Sequence, residues 1–228
     1  MAQNIPAGSD ADSTPASGEG DDSDQVLFSL PAETPGDADA PEIRAAQAAA
    51  GYRLLGTRQV YRNPWTAVRE DVFLRPDGRK GLYGTVERGT FSVIMPQHRD
   101  GRITLVRQFR YPVAKRLWEF PMGMWEERPD VDPAELALGE LREETGLLAG
   151  RLIAAGMLYQ GAGYSTQKGY VYLARDLERG DTARESSEAD MTAHDVTLEQ
   201  FERMIAEGEI TCMVTLAAFA LIRARGLL

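Results

Sequence analysis

The segment DPAELALGELREETGL, residues 132–147, places Glu140, Glu143 and Glu144 close together. On a helix that turns about 100° per residue, these three carboxylates share one arc of roughly 100°. Carboxylates so close repel each other, and each like-charged pair costs about 0.2–0.5 kcal/mol when solvated. A divalent cation removes this repulsion, and Mg²⁺ prefers carboxylate oxygens together with substrate phosphates. The spacing therefore indicates a divalent-metal site, with a solvated acidic face as the simpler alternative.

The signals that begin and end a helix are present at both ends of this segment. Asp132 can accept a hydrogen bond from the first turn, and Pro133 suits the first helical position. Gly146 can adopt the left-handed conformation that ends a helix. The segment LWEFPMG, which comes before the helix, predicts a short strand followed by a turn. A strand, a turn and an acidic helix thus follow one another.

The rest of the chain is predicted to contain mainly strands, with two further helices near the C-terminus. This mixture is typical of an α+β fold or an α/β/α sandwich. FSVIMP and RITLVRQFRY, separated by the polar HRDG, predict a hairpin. LEQFERMIAEGE and TLAAFALIRARG predict the last two helices. The other predicted strands lie in YRLLGTRQVYRNPWTAVREDVFLRPDGRKGLYGTV (three strands), GRLIAAGMLYQ, KGYVYLARDL and MTAHDV.

The net charge of −10 belongs to one end of the 228-residue chain. Residues 1–42 hold ten of the 35 acidic residues and no Lys or Arg, which leaves 25 acids facing all 25 bases elsewhere. This segment is rich in Ser, Gly, Pro, Asp and Ala, so we expect it to be disordered. The neutral remainder has no basic excess, so we expect neither nucleic acid nor an anionic membrane as its partner.

Cysteine and histidine are scarce in this sequence. Cys212 is the only cysteine, so no internal disulfide can form, and two histidines make a Cys/His zinc site implausible. His98 and His194 are interpreted as surface or strand-end residues. The sequence shows neither a signal-peptide pattern nor an apolar run that would span a bilayer. We expect a soluble cytoplasmic protein.

Two further features could contact a substrate. Arg107 and Arg110 alternate outward on the strand before LWEFPMG, where each could reach a phosphate or pair with Glu119. Gly161 and Gly163, in the loop GAGYS, would let the backbone approach a ribose or a phosphate closely.

ELREETGL resembles the second half of the Nudix box, and RQFRYPVAKRLWEFPMG is similar to the ADP-ribose pyrophosphatase branch of that superfamily. The resemblance runs from about Trp65 to the C-terminus. It implies an α/β/α sandwich and a dependence on Mg²⁺ or Mn²⁺. It also implies hydrolysis of a nucleoside diphosphate that is linked to another moiety.

The resemblance assigns roles to residues by their position. Glu140 and Glu144 correspond to metal ligands, and Glu143 to a ligand or to an acid that positions the metal-bound water. Gly123 matches the first glycine of the box, and the adjacent backbone carbonyl of Met122 is suggested as another ligand.

The resemblance also suggests residues outside the helix. In similar enzymes the catalytic base sits in a loop between the last strands, which here is RESSEADM. This indicates Glu188 first, with Glu185 and Asp190 as alternatives. Trp65 stands where related enzymes place an adenine-stacking aromatic residue, although a Trp beside Asn-Pro can also serve only for packing.

The chain departs from the box at two positions. Gly139 stands where the box usually has an arginine, and Val131 stands where it has an earlier acid. The loop 123–133 is also about two residues longer than the pattern. The residues that could compensate are Arg142 or Arg128 for the basic group, and Glu126 or Glu127 for the acid.

We predict three parts: a disordered acidic tail at 1–42, an N-terminal β subdomain at 43–87 and a Nudix domain at 88–228. The resemblance further implies a homodimer formed by strand exchange through the β subdomain. The leading hypothesis is a Mg²⁺-dependent hydrolase of ADP-ribose or a related nucleotide sugar. The alternatives are a hydrolase of a pyrimidine nucleotide in a biosynthetic pathway and a Nudix module that binds nucleotides without turnover.

Overall fold

A computed structural model describes residues 41–125, 127–128, 130–180 and 190–228. These residues form helices α1 to α4 and strands β1 to β10. In chain order the elements are α1 Pro41–Ala49, β1 Arg53–Arg62, β2 Ala67–Leu74, β3 Lys80–Glu87, β4 Phe91–Pro96, β5 Ile103–Arg110, β6 Lys115–Glu119, β7 Met122–Gly123, α2 Pro133–Thr145, β8 Leu147–Tyr159, β9 Lys168–Arg179, β10 Thr192–Val196, α3 Leu198–Ala206 and α4 Met213–Ala224.

The three strands predicted at the N-terminal end form an antiparallel sheet in the order β1-β2-β3. Asn63 shapes the first turn, because its side-chain oxygen accepts from the backbone N–H groups of Trp65 and Thr66, at 3.0 and 2.7 Å. Gly78, with φ at +83°, shapes the second. Helix α1 precedes this sheet and was not predicted. It begins just before the boundary placed at residue 43, and the three-part division stays a prediction.

A four-stranded mixed sheet, β7-β4-β9-β8, forms the middle of the fold, and a three-stranded sheet, β10-β5-β6, packs beside it. All six residues of β4 are buried, because both faces of the strand are covered. Val93 and Met95 pack into the core shared with α3 and α4, whereas Ile94 packs into the core under α2. The mixed α+β fold with helices on both faces of this sheet is therefore confirmed.

The predicted hairpin of β4 and β5 is wrong. Residues His98 and Gly101 do form a tight turn between them, but the two strands enter different sheets. The two edges of β4 are occupied by β7 and β9, so β5 pairs with β6 and β10 instead. One bridge, Gln97 to Ile103, is what remains of the hairpin in the described residues.

Helix α2 has the predicted ends. The Asp132 side chain accepts from the backbone N–H of Ala134 at 2.7 Å, and Gly146 ends the helix with φ at +71°. Leu136 and Leu141 are buried. The helix packs against β4 and β8. Its acidic side therefore lies against the strands and the β6–β7 turn.

None of the helices in the described part of the chain has the length and apolar run that a bilayer-crossing segment needs.

Candidate active site

The Glu140 carboxylate packs directly against Gly123 in the two-residue strand β7, which comes just after the turn that follows β6 and is called the Met122–Gly123 turn below. A Cβ atom at Gly123 would lie 2.3 Å from Oε2 and 2.5 Å from Cδ of Glu140, so any side chain there would displace the carboxylate. Glu140 is 5% exposed. Ionised carboxylates are seldom buried unless their charge is compensated by a partner, so the burial of Glu140 indicates surroundings that are suited to a carboxylate. The glycine provides the space that Glu140 occupies.

Glu144 reaches the same turn and is fully buried. Its Oε2 accepts a hydrogen bond from the backbone N–H of Met122 at 3.2 Å. The Met122–Gly123 turn therefore brings two carboxylates of α2 together. This arrangement agrees with the spacing of four residues, which puts Glu140 and Glu144 one helical turn apart on the same side.

Glu143 is half-buried and faces a different neighbour. The indole Nε1–H of Trp125 donates to Glu143 Oε2 at 3.4 Å. Trp125 in turn lies against Gly139, where a Cβ atom would come within 2.1 Å of the ring. Sequence reasoning did not select Trp125. The signal that could have pointed to it was the unexplained glycine in the middle of α2.

Trp65 lies at a cleft of about 440 Å³ and is 54% exposed. The residues Met124 and Trp125, which follow the Met122–Gly123 turn in the chain, line the same cleft. The remaining lining comes from the Asn63 turn, the segment 87–90, the loop before α2 and the first turn of α2. The structure thus places Trp65, the predicted aromatic residue, at the same cleft as the two residues that follow the Met122–Gly123 turn.

The two predicted arginines have protein partners. Arg110 donates from Nε to Oε2 of Glu119 at 2.8 Å, and the Glu119 side chain is 4% exposed. The guanidinium carbon of Arg107 lies 5.1 Å from the ring centre of Trp118. Of the two uses left open for Arg110, the structure contains the pair with Glu119. A contact of either arginine with substrate stays a prediction.

Gly163 lies beside a different cleft. Its carbonyl accepts from the hydroxyl of Tyr83 on β3. The neighbouring residues Ala162 and Tyr164 line a cleft of about 620 Å³ between α1 and the N-terminal sheet. A substrate-binding role for Gly163 stays a prediction.

The predicted base lies outside the described residues. This holds for Glu188 and for its alternative Glu185. Glu126, one of the two acids that could compensate for the missing acid of the box, also lies outside the described residues. The third candidate, Asp190, is described and forms an ion pair with Arg116 at 2.6 Å.

The single cysteine gives no sign of nucleophilic chemistry. Burial, followed by repulsion from Glu119, raises the pKa of the Cys212 thiol above its ordinary value. The thiol therefore stays protonated at neutral pH, and a protonated thiol is a poor nucleophile.

The Nudix domain family model matches residues 86–211, which is more than half of the chain. The chain belongs to the Nudix family. A second model, described as the nucleoside diphosphate sugar hydrolase N-terminal domain, matches residues 52–86 and so spans β1, β2 and β3. The resemblance read from the acidic helix is confirmed, and the protein is a Nudix hydrolase.

Two curated relatives carry the name ADP-ribose pyrophosphatase. The protein of Mycobacterium tuberculosis is 31% identical over 174 residues, which cover 76% of this chain and 84% of the relative. The protein of Bacillus subtilis is 30% identical over 142 residues, which cover 62% and 75%. A solved structure, titled an ADP compounds hydrolase, superposes with a TM-score of 0.66 over 76% of this chain and 92% of its own, at 19% identity. This structural likeness supports the fold.

The donor groups at the Nudix helix suit a hard divalent cation. In the described parts of the chain, no three acidic, histidine or cysteine side chains already surround one metal position. Glu140 and Glu144 meet at the Met122–Gly123 turn, while Glu143 faces Trp125. The available donors are carboxylate and backbone oxygens, which Mg²⁺ and Mn²⁺ prefer over softer ligands. The residues therefore fit the expected ion.

Proposed function

We propose that this Nudix hydrolase cleaves the pyrophosphate bond of ADP-ribose or a related nucleoside diphosphate sugar, with Mg²⁺ as cofactor and Mn²⁺ as a possible substitute. The observation that carries the proposal is the burial of Glu140 and Glu144 at the Met122–Gly123 turn. The names of the two curated relatives support the substrate class. The match of residues 52–86 to a nucleoside diphosphate sugar hydrolase domain supports it independently.

The reaction consumes one water. The water oxygen forms a bond to one phosphorus, the bridging P–O bond breaks, and a nucleoside monophosphate and a sugar phosphate leave. Bound Mg²⁺ would neutralise the diphosphate oxygens and acidify the attacking water. Glu140 and Glu144 would hold the ion, together with the backbone carbonyl of Met122. Glu143 would ligate the ion or orient the water.

The remaining roles follow from position. Trp65 would stack on the purine, because its exposed ring lines a cleft that is also lined by Met124 and Trp125, the two residues that follow Gly123 in the chain. Glu188 would take the proton from the attacking water. Arg107, Arg110 and Gly163 are the residues proposed to contact the phosphates and the sugar.

The experiment is a hydrolysis screen of the purified full-length protein. ADP-ribose, ADP-glucose, UDP-glucose and a pyrimidine nucleoside triphosphate are each incubated with Mg²⁺, Mn²⁺ or EDTA, and the products are separated by ion-exchange chromatography. The proposal predicts AMP and ribose 5-phosphate from ADP-ribose, with either metal and not with EDTA. Preferred turnover of the pyrimidine nucleotide would favour the biosynthetic alternative. Nucleotide binding without any metal-dependent turnover would favour a binding module.

A further inference from the structure

The loop that joins β7 to α2 covers one side of the helix. Glu135, Gly139 and Glu143 are spaced by four residues and therefore lie in one row along α2. Arg128 of the loop pairs with Glu135 at 2.8 Å, and Trp125 lies over Gly139 and reaches Glu143. The loop thus contacts each member of this row.

Gly139 is what admits the Trp125 ring. A Cβ atom at position 139 would stand 2.1 Å from Cζ2 and 2.6 Å from Cη2 of the indole, closer than any packing allows. A glycine in a helix interior is less stable than an alanine, because it loses more backbone freedom on folding. Local helix energetics therefore disfavour Gly139, and the contact with the ring accounts for its presence.

The orientation of the ring is held from two directions. Its edge lies against the helix backbone at Gly139, and the guanidinium carbon of Arg128 lies 5.1 Å from the ring centre. Arg128 is itself fixed through its ion pair with Glu135. In this orientation the Nε1–H of Trp125 points to one oxygen of Glu143.

We propose that Trp125 is a positioning residue for Glu143, and that the absence of a side chain at Gly139 leaves the space that the indole ring occupies. The indole N–H would hold Oε2 of Glu143 so that the carboxylate keeps a fixed direction toward the ion at Glu140 and Glu144. This inference rests on the proposed function of that site. Two of the departures from the Nudix box are then linked. The glycine at position 139 makes room for the indole ring, and the longer loop carries that ring.

The neutral character of the indole donor has an electrostatic consequence. A basic side chain at position 139 would cancel part of the negative charge of the three carboxylates, whereas an indole N–H restrains Glu143 without adding a positive charge. The indole itself therefore takes nothing from the attraction of the three carboxylates for a divalent cation. This consequence makes metal affinity the quantity to measure.

The first test replaces Trp125 by phenylalanine, which keeps an aromatic ring over Gly139 and removes the N–H donor. The dissociation constant for Mn²⁺ is measured from the electron paramagnetic resonance signal of the free ion, without substrate. We expect about a tenfold weaker Mn²⁺ affinity and a comparable fall in kcat, with KM for ADP-ribose nearly unchanged. The control is Trp118→Phe on β6, which should match the wild type.

The second test is Gly139→Ala, for which two effects have opposite signs. Alanine favours the helix over glycine, so if the ring has no role at the site, the variant should show a higher melting temperature with normal Mn²⁺ affinity. If the new methyl group displaces Trp125, we expect the reverse, namely weaker Mn²⁺ binding and a lower melting temperature. The double variant Gly139→Ala with Trp125→Ala should recover thermal stability without recovering Mn²⁺ affinity.

The inference is overturned if Trp125→Phe binds Mn²⁺ and turns over ADP-ribose as the wild type does. It is also overturned if Gly139→Ala raises stability and leaves Mn²⁺ affinity intact. A failure of the proposed function looks different, because the wild-type protein itself would then bind no Mn²⁺ and hydrolyse none of the nucleotides.

Discussion

Among individual residues, Gly123 and Glu140 fit together closely, because the Glu140 carboxylate occupies the space that a side chain at position 123 would need. Gly123→Ala should displace the Glu140 carboxylate, since the new Cβ atom would stand 2.3 Å from Oε2. The backbone at Gly123 does not need a positive φ, so the substitution acts through space alone. We expect metal-dependent turnover to fall roughly ten- to a hundredfold, measured as AMP release at saturating Mg²⁺.

The matched control for Gly123→Ala is Gly84→Ala on β3. Among the described residues other than its two chain neighbours, no heavy atom lies within 4 Å of a Cβ built at Gly84, and its φ is not positive either. This control should keep wild-type activity. Equal activity of the Gly123 and Gly84 variants would show that the Glu140 carboxylate is not needed at the turn.

The role of catalytic base is assigned to Glu188 from its position in the sequence. Glu188→Gln should lower kcat severely and leave the affinity for ADP-ribose nearly intact, because glutamine keeps the size of the side chain but cannot accept the proton. Steady-state kinetics at saturating Mg²⁺ separate kcat from KM. Glu199→Gln, which changes an exposed acid on α3, serves as the control. Unchanged kcat in Glu188→Gln would remove this residue from the reaction.

Among the strands, β5 and β6 are joined by the pair of Arg110 with the buried carboxylate of Glu119. Arg110→Ala should lower the free energy of unfolding by about 1–3 kcal/mol, since it removes the ion partner of a buried acid while solvent around Arg110 screens part of the loss. Urea denaturation measures this change. Arg107→Ala, which loses a contact with Trp118, should cost at most about 1 kcal/mol. If Arg110 instead serves the substrate, its variant will raise KM with stability unchanged.

Helix α2 shows what local sequence signals can predict. Asp132, Pro133 and Gly146 act within one or two residues of themselves, so the start and the end of the helix were predicted correctly. The partners of β4 depend on strands far away in the chain. The polar HRDG turn predicts a hairpin with β5, but β9 takes that edge of β4, and no local signal reports this competition.

The acidic site shows the same division. The spacing of Glu140 and Glu144 is a helical property, and the structure brings both to the Met122–Gly123 turn. The position of Trp125 against Gly139 depends on how a loop folds back over the helix. Sequence comparison with the Nudix box showed only that an arginine was missing at position 139. It could not show that an indole from the preceding loop fills the same place.

For the entire chain, the question is whether two copies associate. Within the described residues, β1 pairs with β2 on one edge and has no strand on the other, and Leu55, Val60 and Tyr61 are exposed on it. Open edges and exposed apolar side chains favour association. We predict a homodimer by light scattering, and Val60→Lys should shift it toward monomer. The control Leu148→Lys changes an equally exposed residue on β8. A wild-type monomer at all concentrations would contradict the prediction.

The central claim is that the acidic side of α2 gathers divalent ions to cleave a phosphoanhydride. The most direct measurement is a calorimetric titration of Mg²⁺ or Mn²⁺ into the protein, in the presence of a non-cleavable methylene analogue of ADP-ribose. We predict saturable ion uptake that is lost when Glu140 and Glu144 are both replaced by glutamine and kept when Glu199, an exposed acid on α3, is replaced. No uptake of either ion by the wild-type protein would contradict the claim.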